Sequence, residues 1–195
     1  MSIAQAQNIT LIDKLVARTL LNNVILVIAG VALTALSAQL SIPALPVPFT
    51  FQTLAVLVIG STYGAARGSI TMATYALVGA LGVPVFADAS SGFNVLFGSS
   101  GGFIIGFIFA AAVAGRLAEL NWSSNALKAL TSFVASTVVI YGFGVPVLAM
   151  IPYYDANLLA AAQDMLPFLI WDAVKAVIAA TLIPGAWLLV NKLKK

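Results

Sequence analysis

Cysteine and histidine are both missing from this 195-residue chain. Without cysteine there is no disulfide framework, no thiolate metal site and no thiol nucleophile. Without histidine the commonest general base and metal ligand is gone, so no metal centre is expected. No Gly-x-x-x-x-Gly-Lys-Ser/Thr run occurs, and any ATP that drives this protein must be hydrolysed by another subunit. Charge is also scarce. Nine Lys and Arg with six Asp and Glu make 8% of the residues, against about 25% in a soluble domain. So few charges cannot cover the surface of a folded soluble chain, which excludes an ordinary cytosolic enzyme. They also exclude a disordered chain and a nucleic-acid binder, because the few positives sit at helix ends and the net charge is only +3.

What is abundant is apolar. Hydrophobic residues make up 62% of the chain and the mean hydropathy is +1.07. A spanning helix needs about 20 mostly apolar residues. Six candidate spans fall at about 15–38, 49–63, 68–82, 101–120, 127–151 and 166–190. The expected fold class is therefore an all-α integral membrane protein, built as one unit of six transmembrane helices. The polar first 13 residues, with a long apolar run behind them, do not read as a cleavable signal peptide.

The connections fit. Pro43, Pro46 and Pro48 crowd one short stretch, which predicts an ordered, extended loop. Residues 83–100 are rich in Gly, Ser and Ala, and residues 157–165 suit a short interfacial helix. With the N-terminus inside, the inner segments hold Lys14, Arg18, Arg67, Arg116, Lys128, Lys192, Lys194 and Lys195, while the outer loops hold Asp88, Asp155 and Asp164. This asymmetry places both termini in the cytoplasm.

Two charges fall inside the predicted membrane region, Asp172 and Lys175, three residues apart and so on one helix face. They read either as an ion pair pinning the last helix or as a ligand site reached from outside; intramembrane charge favours the ligand site. Tyr141, Trp171, Phe86 and Phe93 are aromatic residues near the outer side, suited to an interface belt or to ligand contact. Gln52, at the outer start of the second span, suits a helix–helix hydrogen bond or a ligand contact. The run Gly98-Ser-Ser-Gly-Gly102 lacks the lysine of a phosphate loop and reads as a loop and helix start. Gly30, Thr34 and Ala38 form a small-residue stripe at four-residue spacing. It permits close helix approach, either within this bundle or to a partner membrane protein.

Several stretches resemble one family. They include Pro46-Val-Pro-Phe-Thr-Phe-Gln-Thr-Leu-Ala-Val56, Gly64-Ala-Ala-Arg-Gly68 and Gly79-Ala-Leu-Gly-Val-Pro-Val-Phe-Ala87. The match continues at Leu96-Phe-Gly-Ser-Ser-Gly-Gly102, at Tyr141-Gly-Phe-Gly-Val-Pro146 and at Pro167-Phe-Leu-Ile-Trp-Asp-Ala-Val-Lys-Ala176. Their order and spacing are similar to those of the BioY proteins, the biotin-specific substrate-capture subunits (S components) of energy-coupling-factor (ECF) ABC transporters. The chain departs from the family's usual Gly-Pro-Thr-Gly-Gly at Gly98–Gly102 and has Ile170-Trp171 before the aspartate.

The resemblance implies the six-helix S-component fold in a prokaryotic cell membrane. It implies no cofactor, capture of extracellular biotin, and docking to a transmembrane coupling (T) subunit that joins two ATPase subunits. It raises the docking reading of Gly30, Thr34 and Ala38. Biotin carries a ureido ring, a thioether ring and a carboxylate. Asp172 and Lys175 suit its polar head, with Tyr141, Asp88 and Gln52 as further polar contacts and Phe86 and Trp171 as apolar walls. The alternatives are an S component for another vitamin and a biotin transporter that works without partners. An intramembrane enzyme lacks a nucleophile–base pair, and a pure scaffold has no use for the two buried charges.

Overall fold

The computed structural model describes residues 10–194; Lys195 and the first nine residues lie outside the described residues. Helices α1 (Leu11–Leu15), α2 (Leu20–Gln39), α3 (Gln52–Tyr63), α4 (Ala65–Ala80), α5 (Phe93–Leu96), α6 (Gly101–Glu119), α7 (Ala126–Ala149), α8 (Leu158–Asp164) and α9 (Leu166–Leu193) carry the fold. Between α2 and α3 two short strands, β1 (Ser41–Ile42) and β2 (Phe49–Thr50), pair antiparallel with Ser41 opposite Thr50. The two ends of the proline-rich loop are extended and tied together, but residues 45–47 between them bend rather than run extended. Its Leu45–Pro46 peptide is cis.

Four helices, α2, α6, α7 and α9, are long and apolar enough to cross a membrane. α3, with 12 residues, and α4, with 16, are shorter. At 1.5 Å per residue α3 is only about 18 Å long. The first helix starts later than its expected residue 15. The chain breaks after α1, and Thr19 caps α2 by accepting from Asn22 N at 3.2 Å. Arg67 lies inside α4, because Gly64 alone makes the turn from α3 with φ 87°. The expected helix near 157–165 is α8, capped by Asn157, whose Oδ1 accepts from Ala160 N at 3.0 Å.

One end of the bundle gathers α1, the α3–α4 turn and the ends of α6 and α9. There Arg67 bonds Asp13 and Thr10, and Glu119 Oε1 accepts from Ala65 N at 2.9 Å. Lys14 Nζ donates to Asn191 Oδ1 at 2.6 Å. The other end holds the hairpin, the loop after α4 and the α7–α8 connection, with Asp88, Asp155 and Asp164. Asp13 and Glu119 pair with the basic residues at the first end, while Asp88, Asp155 and Asp164 stand at the other.

α6 packs on α7 through two buried glycines, Gly102 and Gly106, and turns Ala114 toward Gly60 of α3. A Cβ at Gly106 would sit 3.1 Å from Ile140 Cα, so the α6 and α7 backbones approach as only small residues allow. Buried Val56, Ile59, Met72, Tyr75, Phe107 and Ile140 fill the space between α3, α4, α6 and α7.

The small stripe on α2 also has its partner within the chain. Gly30, Thr34 and Ala38 are all buried. A Cβ at Gly30 would meet Thr71 Cγ2 of α4 at 2.6 Å. The expectation that these three residues present a docking face is therefore corrected: all three are buried in the chain's own packing, Gly30 against Thr71 of α4. The face that α2 leaves open carries Leu21, Ile25, Ile28 and Leu36.

Candidate ligand-binding site

At the acidic end the short α3 leaves room above its N-terminus, and a cavity of about 320 Å³ fills it. Small-molecule sites range over about 300–1,000 Å³. The β2–α3 junction, the loop after α4, the start of α6, α7 and α9 all contribute walls.

Asp172 and Lys175 lie one turn apart on α9, 6% and 8% exposed. Lys175 Nζ donates to Asp172 Oδ1 at 2.9 Å, to the Thr50 carbonyl at 2.6 Å and to Thr53 Oγ1 at 3.1 Å. All three ammonium protons are used. Asp172 Oδ1 also accepts from Thr53 Oγ1 at 2.8 Å, and Oδ2 accepts from Tyr141 OH at 2.7 Å. A carboxylate accepts about four hydrogen bonds. Oδ2, with a single donor, keeps capacity for a ligand N–H.

Gln52 is buried beside this group. Its Nε2 donates to Tyr75 OH at 2.6 Å, and Tyr75 OH donates to the Val85 carbonyl at 2.9 Å. Thr50 Oγ1 donates to Gln52 Oε1 at 2.9 Å. This chain links the hairpin to the loop after α4. Phe86 packs edge-on against Tyr75 with ring centroids 5.5 Å apart, and it is 1% exposed. Asp88 sits exposed at the rim, where its Oδ1 accepts from Ser41 Oγ at 2.7 Å. Phe168 stacks on Phe49 at 3.6 Å. Phe103 meets Tyr141 edge-on at 5.9 Å.

Asp172, Lys175, Tyr141, Gln52, Phe86 and Asp88 thus share one cavity. Trp171 does not join them. It is 57% exposed on α9, and the expectation that it walls the site is corrected. Consecutive helical residues point about 100° apart, so a buried Asp172 turns its neighbour outward. Phe93 is likewise exposed and outside the cavity lining.

The sequence reading missed Thr50, Thr53 and Tyr75, which hold the ion pair and Gln52, and the lining residues Asn94 and Phe103. The available signal was the Thr50–Thr53 spacing, one turn apart around Gln52. Among the described residues no group of three acidic, His or Cys side chains converges to hold a metal.

Beyond Tyr141 and Asp172 lies a second, apolar groove of about 430 Å³ between α7, α8 and α9. Val138, Val145, Met165, Leu166 and Leu169 line it.

Comparisons with known proteins agree with this architecture. The model of the BioY family matches residues 7–192. The "Biotin transporter BioY" of Thermotoga maritima is 41% identical over 157 residues, 80% of this chain and 90% of that protein. The "Biotin transporter BioY" of Rhizobium etli is 33% identical over 150 residues, 73% of this chain and 79% of that protein. Among solved structures, the S-component for biotin from an ECF-type ABC transporter superposes with a TM-score of 0.76. It does so at 22% identity, over 87% of this chain and 94% of that one, and so shares the fold. The chain belongs to the BioY family.

Proposed function

We propose that this protein is the substrate-capture subunit for biotin of an ECF-type transporter. The observation that carries the reading is the buried Asp172, held by Lys175, Thr53 and Tyr141, with one oxygen open to a cavity walled by phenylalanines. Two N–H groups of a ureido ring need such an acceptor. Oδ2 takes one, and Gln52 and Asp88 offer further polar contacts. The thioether ring lies against Phe86, Phe103 and Phe168, where apolar area is removed from water. Lys175 has no proton to spare, so it acts first by keeping Asp172 ionised and placed.

Six helices cross the membrane in this reading, with α3 and α4 completing the four long spans. Both termini are cytoplasmic, because the end that holds Lys14, Arg67, Arg116 and Lys194 is the basic one. The cavity then opens to the outside of a prokaryotic cell. Import requires partners: a transmembrane coupling subunit against the free face of α2, and two ATPase subunits that supply the energy this chain cannot.

Titration calorimetry on the purified protein in detergent tests the reading. Biotin binds; thiamine and riboflavin do not. Asp172→Asn weakens biotin binding by about 1.5–3 kcal/mol, the worth of a hydrogen bond to a charged group. Folded protein that gives no heat with biotin would falsify the assignment, and unchanged affinity in Asp172→Asn removes that residue from the site.

A further inference from the structure

Gln39 is the last residue of α2, and its amide closes on the loop after α4 from outside the cavity. Oε1 accepts from Ala89 N at 2.9 Å. Nε2 donates to the Phe86 carbonyl at 2.9 Å and to the Ala35 carbonyl at 3.2 Å. One planar amide thus bridges both ends of residues 86–89.

The bridged backbone needs holding. Asp88 and Ala89 both adopt left-handed conformations, with φ 56° and 52°. In that region Cβ crowds the backbone carbonyl, and alanine has no polar side chain to compensate. Within the loop itself the bonds are Phe86 N to Ser90 O at 3.1 Å, and Ser90 N and Oγ to the Ala87 carbonyl at 3.1 and 2.7 Å. Yet Phe86, Ala87, Asp88 and Ser90 all line the cavity. The conformation of this loop sets one wall of the site, and Gln39, which does not line the cavity, bonds both ends of it.

We propose that Gln39 is a positioning residue for the ligand site: its amide holds residues 86–89 in the left-handed turn that seats Phe86 and Asp88 at the cavity. The identity of the ligand rests on the biotin reading above. Without the amide, Asp88 and Ala89 relax toward ordinary backbone regions. The binding-competent fraction falls, and the apparent affinity falls in proportion.

Gln39→Met keeps the length of the side chain and removes both hydrogen-bonding atoms. The expected result is an unchanged thermal midpoint in detergent and a biotin Kd raised about tenfold. Adding Ala89→Gly to that variant recovers most of the loss, because glycine takes positive φ without steric cost. A general packing defect would not recover this way. Hydrogen–deuterium exchange across residues 86–92 of the ligand-free protein is the second measurement, with faster exchange expected in Gln39→Met. If Gln39→Met does not yield folded protein, Gln39→Glu keeps the acceptor for Ala89 N, loses the donor to Phe86, and is held to the same outcomes. Unchanged biotin affinity in the single variant, or a loss that Ala89→Gly does not recover, overturns the proposal. Should the unaltered protein bind no biotin, the biotin reading alone fails. The exchange then decides for Gln39: faster in the variant upholds the clamp, unchanged overturns it.

Discussion

Tyr141 donates its hydroxyl to Asp172 Oδ2 at 2.7 Å, and both residues line the polar cavity and the apolar groove behind it. This hydrogen bond therefore lies where the two spaces share lining residues. Tyr141→Phe would leave a buried carboxylate oxygen without its donor, at a cost of about 1–3 kcal/mol. Thermal unfolding in detergent should show the drop. Biotin, which brings N–H donors to the same oxygen, should raise the midpoint of the variant by more than it raises that of the unaltered protein.

Trp171 precedes the aspartate in sequence but faces outward. Trp171→Ala should leave the biotin Kd within about twofold of the unaltered value, since contacts outside a site contribute little to its affinity. A larger change in the same titration would return Trp171 to the site.

Gly30 packs against Thr71, so the space beside it belongs to α4. Gly30→Val should destabilise the isolated protein by about 1–3 kcal/mol through overpacking. Ala32→Leu, on the exposed side of α2, should leave the unfolding midpoint in detergent unchanged. Equal midpoints for both variants would contradict the internal role of the stripe.

Asp13 anchors the basic end. Burial by itself would raise its pKa, but hydrogen bonds from Arg18, Thr10 and Arg67 outweigh that and hold it well below the ordinary 3.8. A depressed folded-state value means that the ionised form favours folding. The contribution is therefore complete above the ordinary carboxylate range and is lost as pH falls through the depressed value. Asp13→Asn should be less stable than the unaltered protein near neutrality, and the difference should shrink below about pH 4. Unfolding midpoints measured across that range would show it; a constant difference would sink the idea.

The parts of this site that were legible in the sequence share one property: each is anomalous where it stands. A charged pair three residues apart in an apolar helix has few explanations, and neither does an amide at a helix start. Asp172, Lys175 and Gln52 were visible for that reason. Thr53, Tyr75 and Gln39 are ordinary residues whose roles depend on topology. Thr53 meets Asp172 across 119 positions of sequence, and Gln39 meets Phe86 across 47. The stripe at Gly30, Thr34 and Ala38 taught the complementary lesson. Spacing revealed that something approaches closely, but only the packing of α4 says what. The four long spans were legible because hydropathy counts residues directly. The break before α2 was not, because Thr19 and the Asp13 cluster decide it by hydrogen bonding.

α2 keeps only 11% of its apolar window buried. In a bilayer, lipid tails cover the remainder, and a lipid tail is about as apolar as the leucines it touches. Exchanging that lipid for the flank of another helix changes little hydrophobic energy in either direction. Fit and local geometry then decide how long an encounter lasts. On such a surface the exchange of lipid for protein has no deep thermodynamic well on either side.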